Sequence, residues 1–114
     1  MPSQQLGDSG YPTLTFLVND VGQDSIFSVT VASGTDVLPG GTVLALNTSN
    51  GKYDAYDGGG SNGLDTAKGI LMHRTDPRNG DEIGAMLVFG VVRSGSLFGL
   101  DAGAMTDLSK FIFV

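Results

Sequence analysis

Side chains able to do chemistry concentrate in one glycine-rich stretch of this 114-residue chain. Gly59-Gly-Ser-Asn-Gly63 has the G-x-S-x-G spacing of a nucleophile elbow. That spacing works only where a buried strand enters a sharp turn and a helix leaves it, so that the serine hydroxyl stands exposed above a sheet. Here Tyr-Asp-Gly precedes and Leu-Asp-Thr follows, so Ser61 is not expected to be a nucleophile. Gly58, Gly60 and Gly63 also satisfy G-x-G-x-x-G, but no βαβ unit of ~30 residues surrounds them to offer a dinucleotide a helix N-terminus. Asp54, Asp57, Asn62 and Asp65 could supply oxygen ligands to a hard cation such as calcium. Their spacing lacks the alternating acceptors and closing bidentate acid of an EF-hand loop, and loop solvation explains them more simply.

His73 is the single histidine, so a multi-histidine metal site within one chain is excluded. A Ser-His-Asp set would draw on His73 and Asp76. His73, however, ends the apolar run Ile70-Leu-Met-His73 and Asp76 opens a turn, so a partly buried strand histidine is expected. Asn47-Thr-Ser49 fits the N-glycosylation pattern, which matters only for an exported chain. Asp81-Glu82 reads as a solvated turn. No residue is assigned a catalytic role, and no cofactor or metal is expected.

The composition points the same way. Eighteen Gly and eleven Asp stand against one Glu, with no Cys, no Trp and a formal charge of −6. Without Cys there is no disulfide framework, thiolate nucleophile or Cys-based metal site. Six basic residues and a pI near 4.3 argue against nucleic-acid binding, which needs clustered Lys and Arg to neutralise phosphates. At this length one domain is the default, able to bury roughly two thirds of its unfolded surface. With 40% apolar residues it can build a core. Gly and Asp are poor helix formers, since Gly costs about 1 kcal/mol per helix position and Asp prefers caps and turns. A mostly β fold follows.

The elements that must position these residues can be traced along the chain. Residues 1–12 hold Pro2, Gly7, Gly10 and Pro12 and lack the pattern of a signal peptide, so a mobile arm is expected and export by the general pathway is not. Thr13-Leu-Thr-Phe-Leu-Val18 is β-rich. In residues 26–31, Phe27, Val29 and Val31 fall on one face and Ser28 and Thr30 on the other, the period of a half-buried strand. Residues 1–40 contain four Asp and no basic residue.

Leu38-Pro39-Gly40-Gly41 turns into residues 42–47, and Asn47-Thr-Ser-Asn-Gly51 then connects to residues 52–56 as a hairpin. Tyr53 and Tyr56 cannot share a face of a regular strand, so one of them is expected to cap an edge. Residues 57–63 form a flexible surface loop, residues 69–74 a short strand, and residues 76–80 a turn. Residues 83–92 are apolar on both alternating faces. They make either a central core strand or a strand with one face in a subunit interface, and at half the ~20 residues of a bilayer span they are no membrane anchor. Residues 97–110 are the only helical candidate, with Thr106 or Asp107 able to cap one turn. The tail Phe111-Ile-Phe-Val114 is expected to be buried in the sheet.

The order of these segments resembles the head decoration protein family of tailed bacteriophages, the group of the phage lambda head decoration protein. The resemblance rests on residues 37–48, Val-Leu-Pro-Gly-Gly-Thr-Val-Leu-Ala-Leu-Asn-Thr, and on residues 51–58, Gly-Lys-Tyr-Asp-Ala-Tyr-Asp-Gly. It continues through Ala67-Lys-Gly-Ile-Leu71 and the tail Phe111-Ile-Phe-Val114. Residues 26–31 lie ahead of this family core, Tyr56 stands where family members can carry Trp, and residues 97–110 are shorter and richer in Gly than the family pattern.

The resemblance implies a small β-barrel-like domain of the β-clip or β-tulip type, with little helix and a flexible N-terminal arm. It divides the chain into a capsid-binding arm, residues 1–24, and a decoration-protein β domain, residues 25–114. It implies a homotrimer on the outer surface of the expanded head, at three-fold and quasi-three-fold sites, stabilising the shell against packaged DNA. The partner would be the major capsid protein, with no nucleic acid or membrane bound and with synthesis in the host cytoplasm. The arm would add a strand to the shell protein through Tyr11, Leu14, Phe16 and Val18. Met86, Val88, Phe89, Phe111 and Phe113 are candidates for trimer interface or core. The alternatives are a small barrel binding a ligand or calcium at residues 54–65, and another phage structural module such as a tail component.

Overall fold

A computed structural model describes residues 26–114 of the chain. Seven strands and one helix follow in the order β1 (Ile26–Val31), β2 (Val43–Asn47), β3 (Lys52–Ala55), β4 (Ala67–Leu71), β5 (Glu82–Leu87), β6 (Gly90–Val92), α1 (Ala102–Asp107) and β7 (Phe111–Phe113). A single 3-10 turn, Ser94–Ser96, separates β6 from α1.

The first five strands close into a barrel in the order β1-β3-β2-β4-β5, with β5 returning to β1. All neighbours are antiparallel except β1 and β3, which meet in parallel at Val31 and Tyr53. β2 and β3 form the expected hairpin, with Asn47 opposite Lys52 and Gly51 at φ 73° in the connecting turn. The Asn47 Oδ1 accepts from the Ser49 amide and the Asn50 Oδ1 from the Lys52 amide, so both asparagines close the turn by local side-chain bonds.

β2, β4 and the second half of β5 contribute buried side chains to two cores, one on each face of the sheet. Inside the barrel lie Val29, Val31, Leu44, Leu71 and Met86, closed by Leu38. On the outer face, Val43, Ile70 and Leu87 form a second cluster with Val92, Ala104, Leu108 and Phe111, which belong to β6, α1 and the tail. A strand's side chains alternate, so a run such as Ile70-Leu71 or Met86-Leu87 sends one residue to each core. Each fully buried leucine contributes roughly 1.5–3 kcal/mol relative to exposure.

The run 83–92, apolar on both faces, is therefore two strands serving two sheets. It breaks after Val88 and Phe89, and Gly90, at φ 145°, redirects the chain into β6. β6 pairs in parallel with β7 as a separate two-stranded sheet. The tail is thus paired, but not inside the barrel sheet: Phe111 is buried, whereas Ile112 and Val114 point outward at 62% and 63% exposure. β4 ends at Leu71, placing His73 in a half-buried bend and not in the strand expected of it.

Helix α1 confirms the one helical candidate but not its cap. Asp101 is the N-cap, its carboxylate accepting from the Ala104 amide at 2.8 Å. Thr106 instead donates to the Ala102 carbonyl, and the Asp107 Oδ2 accepts from the Ala67 amide at 2.9 Å, tying the end of α1 to the start of β4.

Candidate functional site

The Gly-rich loop does not form an elbow. The Asp57 Oδ1 accepts from the Gly59 amide, the Ser61 carbonyl from the Leu64 amide and the Gly63 carbonyl from the Thr66 amide, a succession of turns with no helix leaving Ser61. The loop is on the surface, and it is tied down: Asn62, at φ 58°, offers its carbonyl to both the amide and the hydroxyl of Thr48. Gly63 sits so close to the Leu46 carbonyl that an added Cβ would lie 2.5 Å from its oxygen.

Two of the loop's acidic side chains are occupied locally. The Asp54 Oδ1 accepts from the Ala55 amide, and Asp57 serves the Gly59 turn. Among the described residues no three or more His, Asp or Glu converge as metal ligands.

Three further carboxylates are shifted below the usual carboxylate range, two of them at strand and helix ends and one within the turn at residues 76–80. Asp101 accepts from the Ala104 amide and from the Tyr56 hydroxyl at 2.9 Å, and these two bonds, the amide's first, lower its pKa. The Tyr56 phenol is raised in turn, by partial burial first and by the bond to Asp101 second. Tyr53 packs toward the barrel interior and Tyr56 toward the outer core, so two tyrosines that cannot share a strand face serve different cores.

Asp81 forms an ion pair with Lys52 at 2.6 Å and accepts from the Ser33 amide at 2.8 Å. It thereby joins the end of β1, the start of β3 and the start of β5, where the barrel closes through one parallel bridge. Lys52 is the leading cause of its lowered pKa. The Asp76 carboxylate takes both guanidinium bonds of Arg78 and is held at about 2, chiefly by that side-chain pairing. Asp81, expected in a solvated turn, is exposed and in addition joins Lys52 and Ser33.

A surface cleft of about 360 Å³ lies between the start of β4 and the end of α1. Thr66, Ala67 and Lys68 line one side, Leu108, Ser109 and Lys110 the other, with Val88 and Asp107 completing it. Nothing in the local sequence announces it, because residues 68 and 110 meet only through the fold.

Of the other candidates, Met86 lies inside the barrel and Phe111 in the outer core. Val88 and Phe113 are half-buried, and Phe89 is exposed. Tyr11, Leu14, Phe16 and Val18 fall outside the described residues. Ile83, at 71% exposure, Phe98, Ile112 and Val114 are apolar groups at the surface that residue type alone does not predict.

A closed barrel carries a second apolar core on its outer face, with Asp101 capping the helix and Asp81 joining strand ends, and this defines a compact structural module. The family model of bacteriophage lambda head decoration protein D matches residues 11–110, and the chain belongs to that family. It is accordingly a phage head decoration protein, associated with the capsid of the virion, in a family of structural proteins. A comparison with curated proteins gave no match. The match includes β1, expected to lie ahead of the family core; β1 is the strand that closes the barrel between β3 and β5. Residues 97–110 also fall within it and contain the helix. Among the described residues no helix is long and apolar enough to cross a membrane.

Proposed function

We propose that the chain acts as a homotrimeric cement protein, bound to the outer surface of the expanded head at three-fold and quasi-three-fold sites and stabilising it against internal DNA pressure. The family match over residues 11–110 carries this reading. The exposed Ile83, Ile112 and Val114 support it, because apolar side chains left on a monomer's surface gain by burial against a second copy. In this reading residues 1–24 are the capsid-binding arm and residues 25–114 the β domain. The arm adds a strand to the major capsid protein along Tyr11, Leu14, Phe16 and Val18, backbone bonds giving affinity and side-chain pockets specificity. Many weak contacts on one shell then act together through multivalency. Binding, not catalysis, is the whole activity. Sedimentation equilibrium at micromolar concentration tests the assembly: a mass three times 11.8 kDa is expected, and a strict monomer contradicts it.

A further inference from the structure

The two-stranded sheet of β6 and β7 has an open edge. Among the described residues β7 is bordered by β6 alone, in parallel. The Val114 amide donates to the Val92 carbonyl, and the Val114 carbonyl accepts from the Ser94 amide. Backbone groups alternate in direction along a strand, so Ile112 faces β6 as Val114 does, while Phe111 and Phe113 direct theirs away from it. The Phe111 amide turns back to the Leu108 carbonyl. The N–H and C=O of Phe113 and the C=O of Phe111 are left, three groups with no hydrogen-bond partner among the described residues. Unpaired backbone groups in a row along one edge are the template for a further strand.

The same edge begins at the cleft. Lys110 immediately precedes β7 and lines the cleft opposite Lys68, and both lysines are exposed. Neither is ion-paired among the described residues, whereas Lys52 is held by Asp81 and Arg78 by Asp76. Asp107 lines the cleft too, but its Oδ2 accepts from the Ala67 amide. On a chain of net charge −6, the start of this edge is thus a local concentration of positive charge. Val88 and Leu108 add apolar surface there, and Thr66 and Ser109 add hydroxyl groups.

We propose that β7 receives an extended, acidic segment of another protein, which adds a strand through Phe111 and Phe113 and sets its carboxylates against Lys110 and Lys68. The backbone edge selects an extended chain, and the lysines select its charge. A second copy of this chain does not fit, because two β7 edges would pair across a two-fold axis, which three subunits around one axis do not provide. In that choice of a foreign partner the proposal rests on the cement-protein reading above.

Amide hydrogen exchange of the full-length protein, free and bound to expanded, empty heads, tests it at the Phe113 N–H. The Val114 amide, already bonded to β6, is the internal reference. Phe113 should exchange about ten-fold or more slowly on the heads than in the free protein. Lys68→Ala/Lys110→Ala should attach roughly five-fold more weakly, a deficit that shrinks as salt is added. Attachment with unchanged exchange at Phe113, or unchanged attachment of the lysine variant, would overturn the proposal and leave the cement-protein reading standing. Absence of attachment would overturn both. Protection of Phe113 that grows with the concentration of the free protein would assign the edge to a second copy and overturn the proposal as well.

Discussion

The hydroxyl of Tyr56 and the amide of Ala104 share one carboxylate oxygen, Asp101 Oδ1, at 2.9 and 2.8 Å. A residue just past the end of β3 is thereby joined to the first turn of α1, and the helix is held on the outer core. Replacing Asp101 by Ala removes the cap and the tyrosine's partner together. Hydrogen exchange should show lost protection at residues 104–108 with the barrel amides unchanged, and the Tyr56 phenol should titrate lower than in the parent. Unchanged protection of α1 would contradict the capping role.

Gly69 should not tolerate a side chain. A Cβ there would lie 2.6 Å from the Leu87 carbonyl oxygen and 2.6 Å from the Met86 Cγ, inside the barrel wall. Gly69→Ala is expected to destabilise by about 1–3 kcal/mol in denaturant unfolding, as overpacking does. Gly95→Ala, with open space around it, should be close to neutral.

Truncating the barrel interior gives a larger effect. Leu44 is fully buried among Val31, Leu71 and Met86. Leu44→Ala should cost about 2–5 kcal/mol, the lost transfer energy plus the cavity left behind.

Acid should loosen the clamps. The carboxyls of Asp76, Asp81 and Asp101 all have folded-state pKa values below their ordinary 3.8, Asp76 at about 2. A depressed carboxylate stabilises the fold above its unfolded pKa and loses that contribution as the pH falls through its folded value. Melting temperature should therefore decline between about pH 4 and pH 2, and Asp76→Asn should remove part of that decline. A melting temperature flat across this window would contradict the assignment.

Much of the barrel is legible in the sequence because its signals are local. The strand at residues 26–31 and the Asn-rich turn after β2 follow from neighbours in the chain, although Phe27, expected on the buried face with Val29 and Val31, is 54% exposed near the start of β1. The small residues of Ala67-Lys-Gly-Ile-Leu71 also have a local reading, since Ala67 is buried and Gly69 abuts β5. What was not legible depends on distant partners. Gly90 divides an apolar run between two sheets, so the tail pairs with β6 outside the barrel. Asp81 looks like a turn acid until Lys52 and Ser33 are brought to it. Asp101 could have been found as a cap, being an Asp with a helical turn three residues on; Thr106 and Asp107 are as good by type but sit at the wrong end. The cleft joins residues 68 and 110 across the fold, beyond any local pattern.

The exposed apolar groups should serve assembly and not folding. Ile83→Asp and Ile112→Asp alter side chains at 71% and 62% exposure, so the monomer's unfolding should change little. Sedimentation should nevertheless shift from trimer toward monomer for the variant whose residue lies in the interface. If neither shifts, the trimer contact lies elsewhere on the barrel.

The central claim is attachment to the shell through the arm, and electron microscopy of the protein mixed with expanded, empty heads tests it most directly. The full-length chain should appear as added density at the three-fold and quasi-three-fold positions of the outer surface, and a chain lacking residues 1–18 should remain folded and leave those positions bare. Bare shells with the full-length chain, or unchanged decoration by the truncated one, would contradict the account.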